Sequence, residues 1–548
     1  MKNLLAFFTL FIMAELSSCA TETSTSKLPE NYSLITTNVL TRDGVALGTD
    51  IYLPKKNGKY HCVLARTPYN KDSEAVLPIV FPFLKENLVV VVQDCRGRFT
   101  SDGDFFPFVN ERKDGLDTIK WIKKQKWFDG KIAGFAGSYN GYTQLAIADK
   151  LDFITPHVTA GNIYRIIYPY KIFSPKSIFT WGFSMDKPKV EYNVNDAYYV
   201  LPLSEASVKS YGKTNAFIDE YLKNESYNDF WEKQNVNKYI KSPGIWIAGW
   251  YDMFIEPQID AFRSLDKNVY EKSRIVIGPW CHGTQALERD YGGIEKTGNP
   301  EILNYRFIIA ALKGKSTDNI LSFPFKDAKY NLFIMERNEY IGSEVWPPKK
   351  TKQTKYYLQS IGKLSQKIQQ KNSKLEYTYN PKNPFPSLGG SIFGENVGPA
   401  DYSSTTSRTD QLVFDMEIKN KPLTLLGPIS AELFVQTSAK STDFFVSILD
   451  VFPKGGPIIN IQTGGAKFIP KERNRPEKLN INIWPTGYEI KPEHKLRVII
   501  SSSSFPAYNR NLNTGEPIYS AKKMIQAEQK IFIGKRFPSF VSLPVYKE

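Results

Sequence analysis

Three short segments of the chain contain the residue types of a hydroxyl nucleophile and its activating partners. Ser138 lies in AGSYNG, Asp252 ends the tripeptide WYD, and His282 ends GPWCH. A serine hydroxyl becomes a nucleophile when an imidazole of near-neutral pKa takes its proton, and a carboxylate on the second ring nitrogen then stabilises the imidazolium. The three side chains together predict acyl transfer through a covalent serine intermediate.

The elements around Ser138 are those that a nucleophile turn requires. Residues 131–135 have the pattern of a short apolar strand and residues 141–148 that of a helix, so Ser138 falls in the tight turn between them. The order Ser, Asp, His along the chain is that of the α/β-hydrolase triad. The match to G-x-S-x-G is imperfect, because Ala136 and Asn140 occupy the two glycine positions. A glycine-rich turn without chemistry is the alternative for this segment alone.

The chain has only four histidines, and their surroundings differ. His282 follows the apolar run 274–277 and a Gly-Pro turn, which places it in a loop after a predicted strand, where catalytic residues of α/β folds lie. His61 and His157 adjoin apolar segments, and His494 lies among charged residues, which predicts a solvated surface position. A structural loop histidine is the alternative for His282.

Asp252 repeats this placement, because it directly follows the apolar run 243–249. A carboxylate there could accept the second imidazole N–H of the base. The alternative is that Asp252 caps a helix beginning near Ile255.

These segments resemble a known family. Residues 137–144, 249–252 and 278–282 look like the nucleophile, acid and base motifs of the cocaine-esterase and Xaa-Pro dipeptidyl-peptidase hydrolases. The similarity runs from about residue 31 to the C-terminus, with a poorly matching stretch in the middle. Further similar segments are RTPYNK at 66–71, DCRGR at 94–98, SDG at 101–103, TIKW at 118–121 and WFDG at 127–130.

The resemblance implies an oxyanion hole as well as a triad. In this family a tyrosine hydroxyl from an early loop and the backbone N–H after the nucleophile stabilise the tetrahedral oxyanion. Tyr69 and the N–H of Tyr139 take these roles by resemblance. The alternative for Tyr69 is an ordinary turn tyrosine after Pro68.

Pattern changes along the chain predict an α/β-hydrolase core with a helical cap and a C-terminal β-sandwich. Residues 31–167 and 242–348 alternate strand and helix patterns, whereas 168–241 are rich in amphipathic helical stretches and form the predicted cap. Residues 349–548 show short alternating strands and resemble the jelly-roll, galactose-binding-like domain that closes this family. Similar sandwiches elsewhere bind carbohydrate.

Substrate choice is less defined by the sequence. Trp181 in the predicted cap, Trp250 and Phe254 are the candidate pocket walls, although Trp181 could equally be a core residue of the cap. Phe254 and Ile255 stand where the related α-amino acid ester hydrolases carry two acids, which favours an apolar or aromatic group over a substrate ammonium.

The function hypothesis is an esterase or amidase acting on a small or medium acyl substrate. An Xaa-Pro dipeptidyl-peptidase is the alternative within the family and would require acids that hold a free N-terminus. A surface carbohydrate-binding lipoprotein with an inert hydrolase domain is the alternative from another class. For the dipeptidyl-peptidase alternative, the acids of the cap that could hold a free N-terminus are Asp186, Glu191 and Asp196.

The beginning of the chain predicts export. A basic leader, the apolar run 4–13 and the sequence LSSC resemble a bacterial lipoprotein signal, so residues 1–18 are a predicted signal peptide and Cys19 the predicted lipidated N-terminus. Residues 19–30 then form a polar tether, and the enzyme is held to a membrane of the cell envelope, facing the periplasm or the cell surface. Glu15 close to the processing site departs from the pattern, and simple secretion is the alternative.

Composition limits the remaining classes. The chain has 548 residues, 41% of them hydrophobic, which suffices for more than one core. The formal charge of +15 comes from dispersed lysines without a basic block, so no nucleic-acid partner is expected. Cys62, Cys95 and Cys281 lie in or beside apolar segments and predict no disulfide framework. No metal or cofactor is expected, and the oligomeric state stays open.

Overall fold

The computed structural model shows an α/β domain that contains a helical insertion and is followed by an all-β domain. This architecture confirms the predicted fold class. The predicted signal peptide, Cys19 and residues 20–27 of the tether lie outside the described residues. Within the part of the chain that is described, no helix has both the length and the apolarity needed to cross a bilayer. The structure describes residues 28–74, 76–186, 190–282, 289–322, 324–472 and 474–547.

The α/β domain contains a five-stranded sheet of order β1-β2-β4-β3-β5 and a four-stranded sheet of order β6-β7-β8-β9. Neighbouring pairs from β4 through β3 to β5, and from β6 through β7 to β8, are parallel. Both faces of such strands are covered by helices, so they read as continuous apolar runs. The strands are β1 Tyr32–Leu40, β2 Ala46–Pro54, β3 Tyr60–Thr67, β4 Val89–Asp94, β5 Phe128–Gly134, β6 Ile245–Gly249, β7 Arg274–Gly278, β8 Tyr330–Ile334 and β9 Glu339–Ser343.

Residues 153–158 join the two sheets. They form isolated parallel bridges to the end of β5 on one side and to β6 on the other, so the two sheets make one continuous layer. The carboxyl ends of β5, β6 and β7 consequently meet at one edge of this layer. The bridged pairs are Ala133 with Phe153, Gly137 with His157, Ile154 with Gly244, and His157 with Ile247.

The helices of the α/β domain follow its strands, and the insertion between residues 159 and 241 consists of short helices. In the insertion, the Asn215 side chain accepts a hydrogen bond from the Ile218 N–H and so caps the helix Ala216–Lys223. The helices of the α/β domain are Val76–Leu84, Glu111–Ile122, Ser138–Leu145, Ile255–Arg263, Lys267–Glu271, Gly293–Thr297 and Pro300–Leu312. Those of the insertion are Tyr164–Ile167, Pro175–Ser184, Val194–Ala197, Ala206–Tyr211, Ala216–Lys223 and Asp229–Gln234, with 3-10 turns at Pro169–Lys171, Leu203–Glu205 and Asn237–Tyr239.

The C-terminal domain consists almost entirely of antiparallel strands. Its longest strand, β14, pairs with β17 on one edge and with β19 and β20 on the other. The strands are β10 Thr351–Gln359, β11 Lys363–Ser365, β12 Ser373–Tyr379, β13 Gln411–Glu417, β14 Leu423–Thr437, β15 Thr442–Val451, β16 Ile458–Phe468, β17 Glu477–Ile490, β18 Lys495–Ser501, β19 Ala527–Ile533 and β20 Phe540–Tyr546, with a 3-10 turn at Ser403–Thr405.

The two domains share a hydrophobic core and backbone hydrogen bonds. The Met335 N–H donates to the Gly487 carbonyl at 2.9 Å, and the Glu489 N–H donates to the Met335 carbonyl at 3.0 Å. Tyr251 directly precedes the predicted catalytic acid Asp252, and its hydroxyl donates to the Asn460 carbonyl of the β-domain at 3.0 Å. The β-domain is therefore part of the support of the α/β loops rather than a separate module.

The structure corrects the prediction of a solvated His494. Its side chain is buried, and its Nδ1 lies 2.8 Å from Oδ1 of buried Asp450. The ring also packs on Phe452, with the centroids 4.3 Å apart. The turn between β17 and β18 directs the imidazole inward, which the charged neighbours in the sequence did not indicate.

The close packing of β6 on the chain after β7 generates a prediction about Gly249. A Cβ on Gly249 would lie 2.2 Å from the Trp280 carbonyl oxygen. Gly249→Ala should therefore lower the free energy of unfolding by about 1–3 kcal/mol, measured by urea denaturation. Gly58→Ala is the control, because its Cβ meets only the flexible end of Tyr60, at 3.0 Å. Equal stability of the two variants would contradict the packing described here.

Candidate active site

Ser138 occupies a strained turn between β5 and the helix Ser138–Leu145. Its backbone has φ of +55°, and Ala136 has φ of +88°, both in the left-handed region that non-glycine residues rarely adopt. The Ser138 N–H donates to the His157 carbonyl at 2.9 Å, and the Thr159 hydroxyl donates to the Ser138 carbonyl at 2.8 Å. Neighbouring residues thus hold both backbone groups of the serine, as a strained nucleophile turn requires.

The small residues beside Ser138 are required by close approach to residues 157–159. A Cβ on Gly137 would lie 2.7 Å from the His157 carbonyl oxygen, and a Cβ on Gly141 would lie 2.6 Å from the Thr159 side chain. Asn140 is accommodated where the common motif has a second glycine. On the C-terminal side of the serine, the glycine that this packing requires is therefore Gly141, one position later.

The structure brings Ser138, His282 and Asp252 together. Ser138 Oγ lies 2.9 Å from His282 Nε2, and His282 Nδ1 lies 3.3 Å from Asp252 Oδ2 and 3.4 Å from Oδ1. The Asp252 side chain is fully buried, whereas that of His282 is 14% exposed. His282 follows β7 and Asp252 follows β6, so the loops at one edge of the sheet supply both residues.

Asp252 also makes a local turn contact, although it does not cap the helix Ile255–Arg263, whose N-cap residue is Phe254 without a side-chain cap hydrogen bond. Its Oδ1 accepts a hydrogen bond from the Phe254 N–H at 2.9 Å, just before the helix Ile255–Arg263. This contact fixes the orientation of the carboxylate toward the imidazole. The turn role and the contact with His282 are therefore compatible.

His157 is close to this site and differs from His282 in its environment. Burial, together with the nearby His282, lowers the pKa of His157 to about 3. Its imidazole is therefore neutral throughout the physiological range. Its carbonyl group, rather than its ring, contacts the nucleophile turn.

The two predicted oxyanion donors both adjoin Ser138. The Tyr69 hydroxyl accepts a hydrogen bond from Trp181 Nε1 at 3.2 Å. Burial raises the pKa of Tyr69 to about 12, although hydrogen bonds with Trp181 and Ser138 oppose the rise, so the hydroxyl keeps its proton at neutral pH. The Tyr139 N–H belongs to the second residue of its helix, where backbone donors have no partner within the helix.

The Tyr139 side chain anchors the turn around Ser138 through buried hydrogen bonds. Its hydroxyl donates to Glu111 Oε1 and accepts from the Phe108 N–H at 3.0 Å. Arg66 completes this buried network, because its guanidinium lies 3.4 Å from Glu111 Oε2 and donates to the Glu111 carbonyl at 2.6 Å. Burial raises the pKa of Glu111, and the charge of Arg66 opposes the rise. Sequence reasoning assigned no separate role to Arg66.

A cavity of about 630 Å³, including its open mouth, lies against Ser138 and His282. Core loops, the cap and the β-domain all contribute to its walls, and no Asp, Glu, Lys or Arg occurs among the described residues that line it. The described lining residues are Tyr69, Phe108, Ser138, Tyr139, Tyr142, Thr159, Ile163, Ile166, Ile167, Ser177, Ile178, Trp181, Tyr221, Met253, Phe254, His282 and Phe393.

The structure places two of the three predicted pocket residues in this cavity. Trp181 and Phe254 line it, and the Phe254 ring centroid is 5.3 Å from that of His282. Trp250 does not belong to the described lining, which corrects its place among the pocket walls. Its side chain is fully buried, and its Nε1 donates to the Phe333 carbonyl at 2.7 Å. Trp250 directly follows β6 and lies in the hydrophobic core.

Sequence reasoning missed Phe393, which the β-domain contributes to the site. Its ring lies 5.2 Å from the His282 ring, nearly at a right angle to it. The loop that carries it is closed by paired hydrogen bonds between Gly390 and Gly398, at 2.6 and 2.9 Å. The run of glycines between residues 389 and 398 indicated an unusual loop, but nothing in the sequence showed that it reaches the hydrolase domain.

The comparisons with known proteins agree with this architecture. The profile of the X-Pro dipeptidyl-peptidase (S15) family matches residues 43–284. That of the X-Pro dipeptidyl-peptidase C-terminal non-catalytic domain matches residues 325–542. Fold and domain matches together define a serine hydrolase of the α/β class.

Cocaine esterase from Rhodococcus sp. (strain MB1 Bresler) is 30% identical to this chain, in an alignment that covers 94% of this chain and 99% of the relative. This chain belongs to the family of serine hydrolases that includes cocaine esterase and the S15 X-Pro dipeptidyl-peptidases.

Two solved structures share the fold. An aminopeptidase from the marine sediment archaeon Thaumarchaeota archaeon superposes with a TM-score of 0.80 at 22% identity, covering 96% of this chain and all of the other. An α-amino acid ester hydrolase superposes with a TM-score of 0.78 at 21% identity, covering 96% of this chain and 98% of the other.

The contact between Asp252 and His282 generates a prediction for Asp252→Asn. An amide at this position can donate to Nδ1 and so favour the tautomer whose Nε2 carries a proton, which cannot accept the one from Ser138. Turnover of an activated ester should fall on the order of a thousandfold, while the thermal unfolding midpoint changes little. Asp260→Asn is the control, since Asp260 is 44% exposed and pairs with Arg165 instead. Wild-type turnover in Asp252→Asn would remove this carboxylate from the proposed machinery.

Proposed function

We propose that this protein is an esterase that acts through an acyl-enzyme on Ser138 and accepts a neutral, apolar or aromatic group in its cavity. The observation that carries the proposal is the continuous contact from Ser138 Oγ through the His282 ring to Asp252, at the wall of a cavity lined by aromatic and aliphatic side chains. Hydrolysis of an amide substrate would use the same three side chains.

The proposed chemistry begins with proton transfer from Ser138 Oγ to His282 Nε2 as the oxygen attacks the substrate carbonyl. Asp252 stabilises the resulting imidazolium through Nδ1–H. His282 then donates this proton to the departing alcohol, and the acyl group stays on Ser138. Water, deprotonated by His282, attacks the acyl-enzyme and releases the acid, which returns Ser138 to its starting state.

Each step forms a tetrahedral intermediate whose former carbonyl oxygen carries negative charge, and this oxyanion requires hydrogen-bond donors aimed at it. The Tyr69 hydroxyl and the Tyr139 N–H are the proposed donors. The raised pKa of Tyr69, about 12, supports this role because the hydroxyl can still donate under alkaline conditions. The anchoring of Tyr139 through Glu111 supports a fixed position for the second donor.

The cavity chemistry supports a neutral substrate group over a free N-terminus. A substrate ammonium in an apolar site needs a carboxylate partner, because burial of an unpaired charge is costly. The described lining contains none, and Asp186, the first of the candidate cap acids, pairs with Lys213 at 2.6 Å. Aromatic esters fit the aromatic walls by shape and by ring packing.

Labelling and a substrate panel test the proposal. A fluorophosphonate should label Ser138 in the wild type, and labelling should vanish in Ser138→Ala and fall strongly in His282→Ala. Among p-nitrophenyl acyl esters, amino-acid esters and Xaa-Pro anilides, the neutral aryl esters should be hydrolysed with the highest kcat/KM.

Preference for Xaa-Pro anilides would make the peptidase alternative primary. Absence of both labelling and hydrolysis would overturn the enzyme proposal in favour of a binding protein.

We also propose that the mature protein is exported and lipid-anchored through Cys19, as the sequence of residues 1–30 indicates. Expressed with its own leader in a bacterium, the full chain should partition into the detergent phase of a Triton X-114 extract. Cys19→Ser should move it to the aqueous phase. Cys62→Ser is the control, because Cys62 is fully buried in β3. Aqueous partitioning of the wild type would favour simple secretion.

A further inference from the structure

The cap contacts the proposed oxyanion tyrosine directly. Trp181, on the cap helix Pro175–Ser184, donates its indole N–H to the Tyr69 hydroxyl oxygen at 3.2 Å. Tyr69 and Ser138 line the same cavity. The tyrosine hydroxyl therefore accepts a hydrogen bond from the cap in the wall of the cavity that contains the nucleophile.

The direction of the Tyr69 proton follows from this arrangement. A phenol has one proton to donate, and its oxygen accepts elsewhere. Because the indole N–H can only donate, the side of the oxygen that faces Trp181 is an acceptor side. The hydroxyl proton is then directed away from Trp181 and is available on the cavity side, which Tyr69 shares with Ser138 and where the oxyanion forms. The N–H also withdraws electron density from the oxygen, which strengthens the donated hydrogen bond.

The Trp181 ring is held in place by other aromatic rings. Its centroid lies 5.8 Å from Phe108 and 6.2 Å from Tyr139, both in stacked orientation, and 5.6 Å from Phe217 of the cap. The indole therefore has little freedom to turn its N–H away from Tyr69.

Arg98, which is not among the described lining residues, forms hydrogen bonds with both the loop of Tyr69 and the end of the Trp181 helix. Its Nε donates to the Pro68 carbonyl at 2.8 Å, next to Tyr69, and its Nη1 donates to the Met185 carbonyl at the end of the Trp181 helix. The loop that carries the tyrosine and the helix that carries the tryptophan are thus fixed to one guanidinium.

We infer that Trp181 is a positioning residue of the oxyanion hole: its N–H orients the Tyr69 hydroxyl toward the oxyanion, so that the cap completes the hole rather than only covering it. This inference rests on the proposed function. A Trp181 that served only as an apolar wall would affect substrate binding and would act independently of Tyr69.

The test replaces one N–H without changing the shape of the ring. In Trp181→β-(3-benzothienyl)alanine a sulfur takes the place of the N–H, and the bicyclic wall remains. The loss of one neutral hydrogen bond should lower kcat for an aryl ester and the rate of fluorophosphonate labelling by about three- to tenfold, with KM changed less than about twofold. In a Tyr69→Phe background, itself slower by about a hundredfold or more, the same replacement should have no further effect.

Trp231→β-(3-benzothienyl)alanine is the matched control. Trp231 is a buried cap residue whose Nε1 donates to the Asn224 carbonyl at 2.7 Å; it is not among the described lining residues and packs on Tyr221 of that lining, with the ring centroids 5.3 Å apart, rather than on Tyr69. Its replacement removes the same kind of hydrogen bond from the cap and should leave the labelling rate unchanged.

Unchanged kcat and labelling in the Trp181 variant, or an equal loss with and without the Tyr69 hydroxyl, would overturn the inference. Labelling of the wild type at Ser138 tests the proposed function separately, before any variant of Trp181 is made. The failure of one is therefore distinguishable from the failure of the other.

Discussion

The pairing of residues 153–158 with both halves of the sheet is the constraint on which the site depends. The His157 carbonyl accepts the Ser138 N–H, while Ile247 of β6 pairs with the same histidine on the other side. One short segment thus fixes the nucleophile turn relative to the strands that end in Asp252 and His282. A shift of one residue in this pairing would move the serine by roughly 3.3 Å, more than a hydrogen bond can bridge. The glycines that allow the close contact are accordingly part of the site.

The sequence was sufficient for the elements and the residues that depend on local pattern. The turn around Ser138 and the strands that precede Asp252 and His282 follow from small residues and apolar runs. The sheet pairing of the bridging segment 153–158 was not predicted, because the segment pairs through isolated bridges and its sequence has no extended strand pattern. Helix ends were approximate, since the helix pattern at residues 141–148 corresponds to a helix at Ser138–Leu145. Trp250 and Phe393 could not be assigned from sequence, because each is placed by contacts between the two domains.

The aromatic residues around the site have two tasks. Tyr139 and Tyr142 use their hydroxyls inside the protein, toward Glu111 and the Gln234 carbonyl, and so support the turn and the cap. Both residues also line the cavity, together with Trp181 and Phe254. Aromatic side chains suit both tasks, because they combine a large apolar surface with few rotatable bonds. Rigid walls and a rigid nucleophile turn are thus built from the same residue types.

The position of Phe393 bears on how this enzyme could acquire new substrates. The residue belongs to a loop of the β-domain, yet it contacts the ring of His282, the proposed general base, in the other domain. Exchange of the α/β domain alone would leave this loop behind, and a foreign β-domain would bring a different side chain to the imidazole. Inheritance of the two domains as one unit is therefore advantageous, since recombination at their boundary would alter selectivity and the setting of the base in a single event.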